Sequence, residues 1–351
     1  MHFEALGEEA GHIKEEIIKA QNEGKLKKDL SYLITPLTLQ EYLEQNPDTV
    51  LPNLITTKTH SVLPESYLAG KKKSIITRSA GYDHFEHLAS KANVTSLREY
   101  CVNAVAQTAI KLMYATTGFL NHYEMNTLTF ERNKAISFCE LNKDRRATVF
   151  GVGKIGKRAY ELCVANGLDT YAVDIREEEL KKLYKDEVKF TTKEEAIANS
   201  DIIINTMNLT RNEKSRFYNV GYFGKDYLSK AGKKLFFINV TRGEIAPESA
   251  LIELYDEGRI AGIGVDVFSE EDTFSGALKG RNGFSTPDTK AGKEMLDRAI
   301  ARTANIYVQP HQAFNSDVAA LAKARETVKH MIAWYEYNGE HFGEQLPYYE
   351  G

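Results

Sequence analysis

ATVFGVGKIGKRAYELCVANGLDTYAVD, residues 147–174, reads as a strand, a glycine turn, a helix and a second strand. ATVF is a short β-favouring run, Gly151-Val152-Gly153-Lys154-Ile155-Gly156 follows it directly, and KRAYELCVANG has the composition of a helix. In that context each glycine has a task. The first permits a tight turn, the second lets backbone approach a pyrophosphate, and the third lets helix and strand pack closely. Lys154 and Ile155 open the helix, whose N-terminal N–H groups would meet phosphate charge. Asp174 closes the second strand 18 residues after Gly156. A carboxylate there would accept hydrogen bonds from adenosine ribose hydroxyls and repel a 2′-phosphate, which selects NAD over NADP. Arg176, two residues on, is the feature that favours NADP.

Downstream, further strand-like runs recur: EVKF (187–190), DIIINT (201–206), KLFFINV (234–240), IAGIGVDVF (260–268) and NIYVQP (305–310). Helical segments separate them, among them PESALIELYDEG, which opens on Pro247 at a favoured first position and closes at Gly258. Upstream, SYLIT (31–35), NLITT (53–57), SIITRS (74–79) and VTSLRE (94–99) make a second α/β series. Between the two series, from Asn103 to about Leu120, lies a helix apolar nearly all round. Two α/β units are therefore expected, the second beginning near residue 102.

The bulk numbers agree. A chain of 351 residues has the mass for two domains, and 42% hydrophobic with 27% charged residues excludes intrinsic disorder. With 45 Lys plus Arg against 49 Asp plus Glu the formal charge is -4, so no basic excess points to nucleic acid or an acidic membrane. Cys101, Cys139 and Cys163 are too scattered for a disulfide framework or a CxxC metal site and are read as buried, small and apolar. Neither an uninterrupted apolar leader nor a run of 18 apolar residues is present, so the expected compartment is the cytoplasm. His84 and His87, in HFEH, have helical spacing without further ligands and are read as structural.

Three segments carry polar groups at the carboxyl ends of expected strands, where open α/β sheets bind ligands. FINVTRGE supplies Arg242, GVDVFSEE supplies Glu271, and VQPHQAF supplies His311. A planar guanidinium suits a substrate carboxylate, an imidazole can exchange the proton of a hydroxyl, and a carboxylate can orient that imidazole. Together they fit the oxidation of a 2-hydroxy acid, with hydride chemistry left to a nicotinamide and no metal required.

The chain resembles the D-isomer-specific 2-hydroxyacid dehydrogenase family over nearly its whole length, through GVGKIG with Asp174, INVTRGEIAPESALIELYDEGRIAGIGVDVFSEE, and YVQPHQAF. The resemblance implies that Arg242 binds the substrate carboxylate, that Glu271 is the acid paired with the imidazole, and that His311 is the general acid/base. It places Asp266 at the nicotinamide carboxamide, helped by backbone around Val240 and Thr241. Thr206, closing DIIINT, is counted with these cofactor contacts. In the N-terminal unit SIITRSAGYDHFE looks like the loop whose backbone N–H groups hold the carboxylate, making Ser79, Ala80 and Gly81 substrate contacts, with Asp83 capping the next helix. TTKTH resembles a loop facing substrate, where Lys58 would meet a second anionic group. Tyr100 and Asn103, in EYCVNAVAQ, and Phe314 resemble the D-lactate dehydrogenase branch, which implies a small keto acid such as pyruvate and a pocket wall of Tyr100 and Phe314.

The architecture expected is α/β, with two doubly wound parallel-sheet domains. A flavodoxin-like substrate domain takes residues 1–101 plus 315–351, and a Rossmann NAD-binding domain takes 102–314. The resemblance also implies a homodimer packed through the second domain. Departures from the family pattern are Met207-Asn208-Leu209 and Asp272, where Pro is usual, and Gln107 in place of an acid; segment 272–304 is long and polar. Two other functions use the same scaffold, an NADH-sensing corepressor and a phosphite dehydrogenase. The first needs a peptide-binding surface that no segment here suggests. Formate oxidation needs no acid/base carboxylate, which Glu271 supplies.

Overall fold

A computed structural model describes residues 1–130 and 136–349. Its contacts divide the chain into two units, Met1–Cys101 with Asn315–Gly351, and Val102–Phe314.

In the first unit β1 (Leu54–Thr57), β2 (Lys73–Thr77) and β3 (Ala92–Ser96) form a parallel sheet in the order β1-β2-β3. Register pairs Ile55 with Ile75 and Ile75 with Val94. Those three side chains share one face and a core with Phe3, Leu39 and Phe85. Leu54 and Ile76 point to the opposite face, as the two-residue period of a strand requires. There the helices Glu8–Asn22 and Ala319–Glu336 bury Ile13, Ile17, Val328, Met331 and Trp334 against them. Each fully buried aliphatic side chain of this kind contributes about 1.5–3 kcal/mol. Single parallel bridges add two further rows, His2 with Thr56 and His2 with Ile34. The full order is thus residues 33–35, residues 1–3, β1, β2, β3, a doubly wound arrangement of flavodoxin type.

The second unit holds β4 (Arg146–Phe150), β5 (Asp169–Val173), β6 (Ile202–Asn205), β7 (Leu235–Asn239), β8 (Ile260–Val265) and β9 (Ile306–Val308). They lie parallel in the order β5-β4-β6-β7-β8-β9. A bridge from Ala172 to Phe190 extends the sheet beyond β5. The central strands are buried on both faces, so they read as unbroken apolar runs such as LFFIN. The helix Val102–Thr117 packs on the helix Lys154–Ala165 and on β7 and β8. A core of Phe150, Phe223, Phe237, Leu254 and Ile263 fills the other side. Chain order reverses between β4 and β6, which makes the carboxyl end of β4 the switch point at which such sheets bind ligands.

Several local readings change. SYLIT contributes one bridge at Ile34 rather than a strand, and EVKF one at Phe190. Cys139 is half-buried, whereas Cys101 and Cys163 are buried; all three are free. Segment 272–304 lies mostly in the helices Glu271–Leu278 and Pro287–Ile300, the latter opened by a capping box of Thr286 and Thr289 with Pro287 at its first turn. Among the described residues no helix is long and apolar enough to cross a membrane.

Candidate active site

The glycine turn of the second unit is built as its spacing requires. Gly151 has φ +81°, and a Cβ there would stand 2.8 Å from Met207 Cα. A Cβ on Gly156 would stand 2.1 Å from the Gly151 carbonyl oxygen and 2.5 Å from Thr206 Oγ1, so helix and strand meet only because that position is bare. Gly153 differs: its nearest neighbour, Arg176 Nη2, is 4.0 Å from the same construction, leaving open space over the helix start. No side chain caps the helix Lys154–Ala165 at Gly153. Its first N–H groups, including those of Lys154, Ile155 and Gly156, therefore form a positively polarised cradle that fits a pyrophosphate.

Thr206 braces this turn. Its hydroxyl donates to the carbonyls of Phe150 (2.9 Å) and Gly151 (2.8 Å), so it supports the cradle from behind. Asp174 follows β5, and its Oδ1 accepts the Arg176 N–H at 2.9 Å while the Arg176 guanidinium stands 3.5 Å away. The carboxylate is thus held by the cation that the sequence set against it.

The three candidate groups, Arg242, Glu271 and His311, come from the ends of three neighbouring strands, β7, β8 and β9, spaced about 4.8 Å apart in any such sheet. His311 lies beyond β9 with φ +50°, its N–H donating to the Asp266 carbonyl at 2.7 Å. Its Nδ1 is 2.6 Å from Glu271 Oε2, and the other oxygen, Oε1, accepts the Phe268 N–H at 3.3 Å. The Glu271 bond fixes the ring and leaves Nε2 without a partner among the described residues. The two side chains are 37% and 38% exposed, open enough for a reactant.

Asp266 stands under the loop that carries His311. Its carboxylate is buried, Oδ1 accepting the Gln312 N–H at 3.0 Å and Oδ2 the Ala313 N–H at 2.9 Å. It ties down the backbone that carries His311. Burial holds this carboxyl above the usual range, against the pull of those two N–H groups and of His311. Val240 is buried, its N–H 3.5 Å from the Asn205 carbonyl. The Thr241 hydroxyl accepts from Asn205 Nδ2 at 3.1 Å, and Asn239 Nδ2 donates to the Arg242 carbonyl at 2.9 Å. Arg242 follows β7, half-buried, with Nη1 donating to the Thr241 carbonyl at 2.9 Å. Phe314 sets its ring edgewise to His311, centroids 6.4 Å apart.

One buried acid in this unit had no sequence signal. Glu248 opens the helix Glu248–Asp256, and its Oε1 accepts the Ser269 N–H at 2.8 Å, bracing the loop that leads to Glu271. Oε2 is buried without a partner among the described residues, and burial pushes the carboxyl up to about 7.

Lys58, Ser79, Ala80, Gly81 and Tyr100 belong to the first unit. Ser79 Oγ donates to the Gly81 carbonyl at 2.6 Å and the Ser79 carbonyl accepts the Leu97 N–H at 2.9 Å, which sets the loop after β2. Among the described residues the N–H groups of Ser79, Ala80 and Gly81 have no backbone acceptor, as an anion-holding loop needs. Asp83 is not the cap: Tyr82 occupies that position before the 3₁₀ turn Asp83–Leu88, which has no side-chain cap bond. His84 Nε2 meets Thr77 Oγ1 at 3.1 Å, a structural contact. Lys58 is paired rather than free, its ammonium 2.6 Å from Glu9 Oε2. Glu9 also takes the Nε–H of buried Arg78 at 2.9 Å. Neither Glu9 nor Arg78 was singled out, because a pairing across 69 residues leaves no local pattern. Lys323 carried a weak signal, since it shares its helix face with buried Ala319 and Thr327.

The profile of the D-isomer specific 2-hydroxyacid dehydrogenase NAD-binding domain matches residues 110–313. A glycerate dehydrogenase of Methylorubrum extorquens is 24% identical over 271 residues, covering 75% of this chain and 76% of the relative. A D-lactate dehydrogenase of Lactiplantibacillus plantarum is 26% identical over 258 residues, 70% of each. The crystal structure of D-lactate dehydrogenase from Aquifex aeolicus complexed with NAD and lactic acid superposes with a TM-score of 0.73 at 22% identity, covering 97% of this chain and 98% of that one.

Proposed function

We propose that this chain, which belongs to the D-isomer specific 2-hydroxyacid dehydrogenase family, interconverts a small 2-oxo acid and its D-2-hydroxy acid in the manner of the D-lactate dehydrogenases. It is an NAD-dependent oxidoreductase. NAD, when bound, supplies or takes up the hydride. The chain's own residues do the rest. The N–H groups of Lys154, Ile155 and Gly156 hold the pyrophosphate, and Asp174, steadied by Arg176, receives the ribose hydroxyls. In the second unit Arg242 binds the substrate carboxylate; in the first, the N–H groups of residues 79–81 are the candidates for holding such an anion. His311 gives its Nε2 proton to the carbonyl oxygen in reduction and takes the hydroxyl proton back in oxidation. Glu271 holds the ring through Nδ1 and balances the charge of its protonated form. Phe314 in the second unit and Tyr100 in the first are each apolar surfaces suited to the substrate's side chain.

The observation that carries this reading is the 2.6 Å Glu271–His311 pair, set in the same sheet as the glycine cradle. The test is NADH oxidation with pyruvate and a panel of 2-oxo acids. Turnover giving the D-hydroxy acid is expected; NADH binding without turnover of any acid would point to a sensing protein instead.

A homodimer through the second unit belongs to the same proposal. It is supported by exposed Tyr114, Leu120, Tyr123, Leu128 and Phe130, apolar side chains within one stretch of that unit. Light scattering at micromolar concentration checks it, a monomer mass contradicting it. Three free cysteines suit a reducing, cytoplasmic compartment.

A further inference from the structure

The first unit has a switch point of its own. Residues 1–3 lie between residues 33–35 and β1, so successive crossovers leave in opposite directions from the gap between residues 1–3 and β1. In a doubly wound sheet the crevice outside the carboxyl ends at that gap is where a ligand sits. Glu4 and the helix bearing Glu9 follow the first of these two strands, Lys58 follows β1, and Arg78 follows β2.

These ends are crowded with cations. Arg78 is fully buried and its donors are assigned: Nε to Glu9 Oε1, Nη1 to Thr56 Oγ1, and Nη2 to the Phe3 carbonyl. It is an anchor that fixes Glu9. The other Glu9 oxygen holds the Lys58 ammonium at 2.6 Å, the lysine side chain being 18% exposed. Lys323, on the helix Ala319–Glu336, sets its ammonium 4.9 Å from the centre of the Tyr100 ring. Burial lowers its proton affinity to about 8; Glu9 opposes that shift, while the charges of Lys58 and Arg78 add to it. Two cations share Glu9, then, and a third stands within repulsive range of both. The nearby carboxylate of Glu4 is engaged elsewhere, by the hydroxyls of Thr57 and Ser61, the N–H groups of Lys58 and Ser61, and the ring of His60.

Desolvated like charges cost free energy that an arriving anion returns. We propose that Lys58 and Lys323 receive a second anionic group of the substrate, so that the preferred 2-oxo acid carries a carboxylate or a phosphate at the end remote from its reacting carbonyl. This rests on the dehydrogenase reading above and specifies its substrate class. The geometry suits it. The loop after β2, whose N–H groups would hold the first carboxylate, and the loop after β1, with Lys58, belong to adjacent strands about 4.8 Å apart. A four- or five-carbon diacid spans that spacing. Tyr100, beneath the Lys323 ammonium, supplies an apolar and cation-stabilising wall along the way.

The test compares kcat/KM in matched pairs: 2-oxoglutarate against 2-oxopentanoate, oxaloacetate against 2-oxobutanoate, and 3-phosphohydroxypyruvate as the phosphate arm. At least tenfold preference for the acid with the distal anion is expected, and the better of the carboxylate and phosphate arms identifies the group. In Lys323→Met the ratio of diacid to monoacid kcat/KM should fall at least tenfold, and Lys323→Arg should restore most of it. Lys58→Met serves as a second variant should Lys323→Met fail to fold. Preference for the neutral acids, or a ratio unchanged in both variants, overturns the proposal. Failure of the underlying dehydrogenase reading shows differently, as absence of turnover with the neutral acids and pyruvate as well, and it removes this proposal with it.

Discussion

Glu271 Oε2 and His311 Nδ1 lie 2.6 Å apart although 40 residues separate them in the chain. The pairing follows from sheet order. β8 and β9 are neighbours in register, so the loops that leave their carboxyl ends cannot avoid one another. Asp266, at the end of β8, completes the arrangement by accepting two N–H groups from the His311 loop.

Removing the imidazole should therefore remove proton transfer and leave cofactor binding alone. His311→Ala is expected to lower kcat by about 10²-fold or more, with NADH affinity measured by fluorescence titration unchanged within error. Glu271→Gln should lower kcat less, because a neutral amide still orients the ring. Turnover at the wild-type rate in His311→Ala removes this residue from the chemistry.

Arg242→Lys keeps the charge and loses the planar fork. KM for the 2-oxo acid should rise about tenfold or more, the worth of one hydrogen bond to a charged group. Steady-state kinetics with pyruvate checks it, and an unchanged KM would place the carboxylate elsewhere.

Much of this was legible because its signals are local. Strand, glycine turn and helix lie within one stretch at 147–174, and the β-branched runs announce β1, β2 and β4 through β9. What stayed hidden is long-range or polar. The row at residues 1–3 escaped notice because His2 and Glu4 are buried polar residues, which break the apolar alternation that marks a strand. Lys58 was recognised as a cation of interest, yet nothing nearby in sequence announces Glu9 and Arg78. The position of Asp266 in the motif says nothing of the Gln312 and Ala313 amides that it accepts. Asp83 looked like a cap by composition, but the chain begins its 3₁₀ turn one residue earlier than that role allows.

Gly156→Ala tests the cradle. The added methyl would lie 2.1 Å from the Gly151 carbonyl oxygen, and backbone on one side with Thr206 on the other cannot both yield. The variant should lose about 1–3 kcal/mol of stability and bind NADH more weakly, read by urea unfolding and by titration. Wild-type values in both measurements would contradict the close approach.

Glu248 sets a pH dependence of stability. Its carboxyl rises from the ordinary 4.5 to about 7 on folding, so the folded chain holds this proton more tightly than the unfolded one. The stabilisation is full below about pH 4.5, declines as pH rises, and is lost above about 7, a change of about 3 kcal/mol at most. Glu248→Gln keeps the acceptor for Ser269 without the charge. Its unfolding free energy should exceed that of the wild type by more at pH 8 than at pH 5; parallel curves would show that Glu248 ionises without penalty.

The central claim is that hydride passes directly between a bound nicotinamide and C2 of a 2-oxo acid while His311 supplies the proton. Mass spectrometry of the product formed from pyruvate and NADH deuterated at the transferred position measures that passage. The account predicts D-lactate with one deuterium at C2 from the wild type and almost none formed by His311→Ala in the same time. An L-product, a product without deuterium, or equal yields from the two enzymes would contradict it.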